Sequence, residues 1–210
     1  MEVREAYNRW AGQYDTNGNK TRDLEAGSLR ETLEDFNFKQ CLEIGCGTGK
    51  NTEWLALKSA EVTAVDLSEE MLAVAKQKIK SGNVEFQRFD ITEPWAFTEN
   101  RFDLITFSLV LEHIENLNDI FKKVSKATAP NAYLYIGELH PYKQYAGSKA
   151  RFDTEEGQQV VNSFSHHLSD FTKSAKENGF QIESVNEYFD NNDRTKIPRI
   201  LTLLFRKKDD

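Results

Sequence analysis

Three glycines stand at alternate positions in "LEIGCGTGK", residues 42–50, directly after a short apolar run. Neither a regular strand nor a regular helix favours glycine at this spacing. Because glycine has no Cβ and readily adopts positive φ, Gly45, Gly47 and Gly49 let a ligand come close to backbone N–H groups. The stretch therefore predicts a loop that binds a ligand through its main chain.

An acidic residue follows these glycines at the spacing found in nucleotide-binding sheets. Asp66 ends the apolar run "EVTAVD" and lies 21 positions after Gly45 (66 − 45), where a carboxylate can accept hydrogen bonds from ribose hydroxyls. The dinucleotide pattern G-x-G-x-x-G needs a third small residue where this chain has Lys50, and "GCGTGKN" does not supply the phosphate-loop pattern G-x-x-x-x-G-K-[S/T]. The spacing favours an adenosyl ligand that carries a positive charge.

Strands alternate with helices along most of the chain, which indicates a doubly wound α/β fold with a mostly parallel sheet and helices on both faces. Ser68 has the N-cap chemistry of a helix start, and Gly179 that of a helix end. The last two strands are too close in sequence for a crossover helix, so we expect an antiparallel C-terminal hairpin. The predicted strands are 41–44, 61–66, 83–90, 101–108, 132–140, 182–189 and 200–205, and the predicted helices are 22–36, about 54–57, 69–80, 117–128 and 169–178.

Length and charge limit the classes of partner. The chain has 210 residues and a net charge of −7, which fits one domain and repels phosphate backbones, so nucleic acid is not an expected partner. The start of the chain lacks the apolar region of a signal peptide, and no window is apolar enough to span a membrane. We therefore expect a cytoplasmic protein without a membrane partner. No heptad or surface stripe distinguishes a monomer from a homodimer.

Two segments are expected to cover the carboxyl ends of the strands. Residues 1–38 predict an N-terminal helical lid, and residues 142–168, which lack clear periodicity, predict a substrate-side insertion. Both would belong to one domain over residues 1–210. Cys41 and Cys46 have neither the number nor the spacing of a disulfide framework or a zinc site.

The glycine stretch, extended to "LEIGCGTGKNTEWLA", resembles motif I of the class I S-adenosylmethionine-dependent methyltransferases, E/D-x-G-x-G-x-G. "FDI" at 89–91 and "FDLITFSLVLEHI" at 102–114 match later positions of that family, and "YNRWAGQYD" at 7–15 is similar to the lead-in of its small-molecule members. The resemblance implies a seven-stranded sheet, S-adenosyl-L-methionine as cofactor and S-adenosyl-L-homocysteine as product.

The same resemblance assigns cofactor roles to individual residues. Gly45 and Gly47 would face the methionine part with Glu43 anchoring the loop, and Asp66 would bind both ribose hydroxyls. The adenine would lie between Leu67 and Ile91, with its amino group donating to Asp90. Ser108 would line the methionine end, and Tyr14 would close the pocket over it. The full predicted set is Tyr14, Glu43, Gly45, Cys46, Gly47, Asp66, Leu67, Met71, Asp90, Ile91 and Ser108.

Methyl transfer needs an aligned acceptor lone pair, little water and sometimes a base. His140 follows Glu138 at the carboxyl end of the fifth predicted strand, so both are candidate catalytic residues. Of the adjacent His166 and His167, at most one is expected to reach the pocket. The substrate-binding candidates are Tyr7, His113, Tyr142 and His167.

Motifs that are absent from the sequence narrow the acceptor. No [D/N]-P-P-[Y/F] follows the fourth strand, which disfavours amino-methylating DNA enzymes, and Ser108 stands where metal-dependent catechol-type enzymes have an aspartate. A small metabolite is therefore the expected acceptor, without a metal, and the acceptor atom stays open among O, N and C. Two alternatives remain: a dinucleotide-dependent oxidoreductase, disfavoured by Lys50, and a non-catalytic adenosyl-binding module.

Overall fold

The computed structural model describes residues 2–16, 18–95, 102–148, 151–154 and 157–209. Within these residues, nine strands form one seven-stranded sheet and one separate antiparallel pair. The strands are β1 (Phe38–Ile44), β2 (Ser59–Asp66), β3 (Val84–Arg88), β4 (Phe102–Ser108), β5 (Thr128–Leu139), β6 (Arg151–Thr154), β7 (Gly157–Val160), β8 (Phe180–Tyr188) and β9 (Ile200–Lys207).

The large sheet has the order β3-β2-β1-β4-β5-β9-β8. β1 pairs in parallel with both β2 and β4, so that Leu42 lies beside Thr63 and Ile105. β9 runs antiparallel to β5 and to β8. The strand order reverses between β1 and β4, and ligands of doubly wound sheets bind at such a switch point, outside the carboxyl ends of the strands.

Helices cover both faces of this sheet. Their starts follow the polar caps of the sequence: the Asn19 side chain accepts from the N–H groups of Thr21 and Arg22, and Ser68 Oγ accepts from Met71 N at 3.1 Å, which satisfies N–H groups that lack helical partners. The helices are α1 (Val3–Tyr14), α2 (Lys20–Leu33), α3 (Thr52–Lys58), α4 (Glu69–Lys78), α5 (Leu117–Ala127), α6 (Pro141–Tyr145) and α7 (Leu168–Glu177).

Apolar side chains fill the space between the sheet and each helical layer. On one face, β1, β4 and β5 pack against α5 and α7 through residues such as Phe107 and Phe121. On the other face, Leu29 and Leu33 of α2 meet Leu55 of α3. A smaller cluster lies under the N-terminal helix and consists of Ala6, Trp10, Ala11, Met71 and Val161.

The predicted fold class is confirmed, including the antiparallel C-terminal hairpin β8–β9. Two local details differ from the prediction. The strand predicted from residue 132 begins at Thr128, directly after α5, and includes Pro130, next to Asn131 at φ +59° and close to a register shift against β4. The segment 142–168, which shows no clear periodicity in the sequence, contains most of α6 and the β6–β7 pair. Among the described residues, no helix is both long and apolar enough to cross a bilayer.

Candidate active site

The glycine turn after β1 has a backbone that other residues rarely adopt. Gly45, Gly47 and Gly49 have φ values of +72°, +54° and +83°. A Cβ on Gly45 would lie 2.2 Å from Cγ2 of Val110, closer than any allowed contact. The N–H groups of Gly45 and Cys46 both donate to the carbonyl of Val65, at 2.8 and 3.0 Å. The turn is therefore fixed against the end of β2 and leaves room for close approach to its main chain.

Asp66 connects this turn to the start of α4. Its Oδ2 accepts from Gly47 N and its Oδ1 from Ser68 N, each at 2.8 Å. Burial raises the pKa of Asp66, and the backbone hydrogen bonds oppose that shift. Because each carboxylate oxygen has two lone pairs, the group can hold the turn and still accept two hydrogen bonds from a ligand.

A cavity of about 270 Å³ opens beside Asp66 at the carboxyl ends of β1, β2 and β4. It lies at the switch point of the sheet, and the first turn of α1 covers it. Eight residues of the predicted cofactor set line it: Tyr14, Gly45, Gly47, Asp66, Leu67, Asp90, Ile91 and Ser108. We call this space the donor cavity.

Helix α1 is tied down at both ends of the donor cavity. Ser68 Oγ donates to the side-chain oxygen of Asn8 at 2.6 Å, and Thr48 Oγ1 donates to Asp15 Oδ1, also at 2.6 Å. These bonds join α1 to the N-cap of α4 and to the glycine turn. The helix thus forms a wall of the cavity and presents Tyr7 and Tyr14 to it.

The backbone after β4 is strained where it borders the cavity. Leu109 has φ +58°, which is uncommon for a non-glycine residue without a short polar side chain. Glu138 supports the next two residues, because its Oε1 accepts from Val110 N and Leu111 N at 2.9 and 2.8 Å. Burial raises the pKa of Glu138 to about 8. The predicted catalytic residue Glu138 therefore holds this loop and does not line the cavity.

Tyr7 and His113 form a hydrogen-bonded pair at the edge of the donor cavity. The Tyr7 hydroxyl lies 2.9 Å from His113 Nε2, and His113 Nδ1 lies 2.9 Å from the carbonyl oxygen of Asn162. A carbonyl only accepts, so Nδ1 carries the proton and Nε2 of the neutral ring accepts from Tyr7. Burial lowers the pKa of His113 and keeps that ring neutral near pH 7.

A second cavity, of about 400 Å³, adjoins the first. Tyr7, Tyr14 and Leu109 line both, so the two spaces meet at these three residues. We call the second space the acceptor cavity, for the role proposed below. Its remaining lining is Trp10, Asn19, Thr21, Arg22, Glu112, Leu139, Ala146, Gly147, Ser148 and Arg199.

Charged groups shape the acceptor cavity. Arg199 donates to both carboxylate oxygens of Asp190, at 2.5 and 2.6 Å, and to Thr21 Oγ1 at 3.0 Å. The Arg22 guanidinium lies 3.8 Å from the centroid of the Tyr14 ring and donates to the Tyr14 carbonyl. Glu112 is buried, with 7% of its surface exposed, and burial raises its pKa to about 7.

Three residues of the predicted cofactor set lie behind the donor cavity and do not line it. Glu43 is buried and accepts from Thr52 Oγ1 at 2.6 Å, so it contacts the start of α3; burial raises its pKa to about 8. Cys46 points into the core that includes Leu55. Met71 packs beneath α1.

Three other predicted residues line neither cavity. The ring of His140 accepts from Tyr142 N at 3.2 Å, at the start of α6, and its Nε2 donates to Glu187 Oε1 at 3.0 Å. Tyr142 is exposed. His167 lies at the start of α7, bonded to the hydroxyl of Tyr145. By contrast, the predicted Tyr7 and His113 both lie at the cavities.

Several lining residues were not predicted from the sequence. Leu109 and Val110 lie within the matching stretch "FDLITFSLVLEHI" but were given no role, and their importance comes from the backbone after β4. Trp10 and Arg22 come from α1 and α2 and reach the acceptor cavity only through the packing of these helices. The lead-in "YNRWAGQYD" contains Trp10 between the two tyrosines, and this was the available signal.

Comparison with known proteins identifies the family. A family model described as a methyltransferase domain matches residues 42–136. An uncharacterized methyltransferase of Emericella nidulans is 30% identical over 89% of this chain and 78% of its own length. A ubiquinone biosynthesis O-methyltransferase of Bordetella parapertussis is 27% identical over 56% of this chain, a match that spans only about half (49%) of that enzyme.

The solved structure of the N-methyltransferase NodS from Bradyrhizobium japonicum, in complex with S-adenosyl-L-homocysteine, has the same fold. It superposes with a TM-score of 0.74 at 19% identity and covers 100% of both chains. The residues matched by the family model, 42–136, include the glycine turn and Asp66 at the end of β2. This chain belongs to the class I S-adenosylmethionine-dependent methyltransferases.

Proposed function

We propose that this enzyme transfers the methyl group of S-adenosyl-L-methionine to a small metabolite, with the methyl donor in the donor cavity and the metabolite in the acceptor cavity. The observation that carries this proposal is the junction of the two cavities at Tyr7, Tyr14 and Leu109. In-line transfer needs the two reactants to meet at one point with little water present. Two connected cavities that meet at half-buried side chains, two of them aromatic, supply such a point.

The residues of the donor cavity fit the methyl donor. Asp66 has lone pairs left for the two ribose hydroxyls after it has accepted from Gly47 and Ser68. Leu67 and Ile91 lie at the cavity with Asp90 and can enclose an adenine ring whose amino group donates to Asp90. Gly45, Gly47 and Ser108 border the methionine end. Glu43, Cys46 and Met71 then support the turn and the lid from behind.

The donor supplies a methyl group that is already activated by a positively charged sulfur, so the protein mainly positions and deprotonates the acceptor. Tyr7 can accept a proton from an acceptor N–H or O–H and pass its own hydroxyl proton to His113 Nε2. The hydrogen bond from His113 Nδ1 to the Asn162 carbonyl orients the ring for this transfer. Tyr7 and His113 are therefore our preferred candidates for proton transfer, ahead of His140 and Glu138.

The size and charge of the chain support a small acceptor. The acceptor cavity holds about 400 Å³ and lies beneath the ends of α1, α2 and α6, which suits a metabolite better than a polymer. The net charge of −7 disfavours a nucleic acid. The relatives include one O-methyltransferase and one N-methyltransferase by name, so they leave the acceptor atom open.

Calorimetry tests the donor site directly. We expect tight binding of S-adenosylhomocysteine and no binding of NAD. Asp66→Ala should weaken S-adenosylhomocysteine binding by about 1.5 to 3 kcal/mol, the scale of hydrogen bonds to a charged group. The matched control is Asp103→Ala, because Asp103 also accepts two backbone N–H groups, those of Lys39 and Gln40, but at the opposite end of the sheet. Unchanged affinity in Asp66→Ala would refute the ribose role.

Turnover distinguishes an enzyme acting on a metabolite from an adenosyl-binding module. A metabolite library incubated with a radiolabelled methyl donor should yield a labelled small molecule. Good binding of S-adenosylhomocysteine with no labelled product from any compound would favour the module.

A further inference from the structure

We propose that the acceptor is a cationic amine, bound in the acceptor cavity between the Glu112 carboxylate and the aromatic cluster of Tyr7, Trp10 and Tyr14. This inference rests on the proposed function and specifies its substrate class. It follows from two independent observations at the cavity: three neighbouring aromatic rings and a buried carboxylate.

The aromatic cluster has the chemistry of an ammonium site. The ring centroids of Tyr7 and Trp10 are 5.9 Å apart, those of Trp10 and Tyr14 are 4.8 Å apart, and those of Tyr7 and Tyr14 are 6.3 Å apart. Aromatic faces attract cations, most strongly when water is excluded. The Arg22 guanidinium, 3.8 Å from the centroid of the Tyr14 ring and 5.5 Å from that of Trp10, is a cation that these two rings already attract. Trp10 lines the acceptor cavity and not the donor cavity. The attraction of the rings for a cation therefore acts in the acceptor cavity as well.

Glu112 supplies a negative charge in the same place. It lines only the acceptor cavity and is buried. Within the described part of the chain, no group donates a hydrogen bond to its carboxylate, and the acidic groups of Glu138 and Tyr7 are its electrostatic neighbours. A buried carboxylate without a donor is costly. An ammonium group would supply both the hydrogen bonds and the compensating charge.

The reaction balances with these groups. The bound ammonium gives one proton to the Tyr7 oxygen while Tyr7 passes its hydroxyl proton to His113 Nε2, which frees the nitrogen lone pair; the Glu112 carboxylate stays ionised and compensates the charge. That lone pair forms the new N–C bond while the S–C bond breaks and leaves its electron pair on sulfur. The product is an N-methylated ammonium, and the proton remains on His113 until it passes to solvent.

The test uses tetramethylammonium chloride as the probe and tert-butanol as its uncharged counterpart of similar shape. Each is titrated by calorimetry into the full chain saturated with S-adenosylhomocysteine. We expect saturable binding of tetramethylammonium and none of tert-butanol. Glu112→Gln, which preserves size, should weaken tetramethylammonium binding by about tenfold or more, and Trp10→Leu should also weaken it. Glu115→Gln, an exposed position three residues away, is the matched control and should change binding less than twofold.

Two outcomes would overturn the inference while leaving the proposed function intact. One is normal binding of S-adenosylhomocysteine with no binding of tetramethylammonium. The other is equal affinity for tetramethylammonium in Glu112→Gln and the native chain. Failure of the native chain to bind S-adenosylhomocysteine would instead contradict the proposed function. A melting temperature for each variant shows that it is folded.

Discussion

The donor and acceptor cavities meet at the same residues but are built in different ways. The donor cavity is shaped mainly by main chain: the glycine turn after β1, the end of β2 and the strained loop after β4. The acceptor cavity is shaped mainly by side chains from α1, α2, the segment 139–148 and Arg199. Backbone geometry tolerates few changes, whereas side chains can be exchanged one at a time. A cavity shaped by main chain therefore suits a ligand that stays the same, and a cavity shaped by side chains suits a ligand that differs between relatives.

The strongest test of this contrast is Gly45→Ala. The new Cβ would lie 2.2 Å from Val110 at a residue with φ +72°, so the turn must move. We expect affinity for S-adenosylhomocysteine to fall about 100-fold or more, measured by calorimetry. Gly27→Ala, in the middle of α2 with open space around its Cβ, should bind normally. Native affinity in Gly45→Ala would show that the turn does not define the donor site.

Tyr7→Phe tests the junction of the cavities. The ring remains, so the affinity for S-adenosylhomocysteine should change by less than about threefold, whereas kcat should fall about 10- to 100-fold because the link to His113 is lost. Tyr145→Phe removes a hydroxyl that is bonded to His167, away from both cavities, and serves as the control. Steady-state kinetics with the acceptor found in the library screen provides the measurement. Equal kcat values for the native chain and Tyr7→Phe would exclude Tyr7 from proton transfer.

The pH dependence of the stability of Glu138→Gln tests whether Glu138 supports the loop after β4. The folded-state pKa of Glu138 is about 8, above the ordinary value, so between about pH 5 and 8 the folded protein holds a proton that the unfolded chain has lost. Stability therefore falls as pH rises through this range. In Glu138→Gln the fall should be smaller by about 1 to 2 kcal/mol, measured by urea unfolding at several pH values. Glu85→Gln, at an exposed position of β3, should keep the native pH dependence.

The smallest effect is expected from Asp190→Asn, which weakens the ion pair that holds Arg199 at the acceptor cavity. Since Arg199 keeps its bond to Thr21, we expect the acceptor KM to rise about two- to fivefold without a change in the affinity for S-adenosylhomocysteine. Asp193→Asn removes a carboxylate that accepts from Thr195 and lines neither cavity, and it should leave KM unchanged. A change in donor affinity alone would contradict the separation of the two sites.

The same contrast explains what the sequence could predict. The donor side consists of short contiguous stretches, so Gly45 and Asp66 were predicted from local pattern and Asp90 from the family resemblance. The fold class followed from the alternation of strands and helices. The start of β5 was predicted at residue 132 and lies at Thr128, because tertiary pairing with β4 extends the strand across Pro130.

Prediction was weakest for residues whose role depends on the direction in which the side chain points. Glu138 and His140 come at the end of a strand beside the site, but one holds the loop after β4 and the other lies at the start of α6. Arg22, Glu112 and Arg199 are far apart in sequence and meet only after α2, β4 and β9 have packed. No local pattern reports such a meeting.

Helix α1 gives the two sites a thermodynamic link. Tyr7 and Tyr14 form part of both cavities, and one segment of backbone, tied by Asn8 and Asp15, carries them. Motion of α1 that the first ligand restricts need not be restricted again by the second. We therefore expect the first ligand to raise the affinity for the second, and reciprocity requires an equal effect in the opposite direction. The methylated product and S-adenosylhomocysteine would accordingly retain each other, which favours release of the pair as the slow step of turnover.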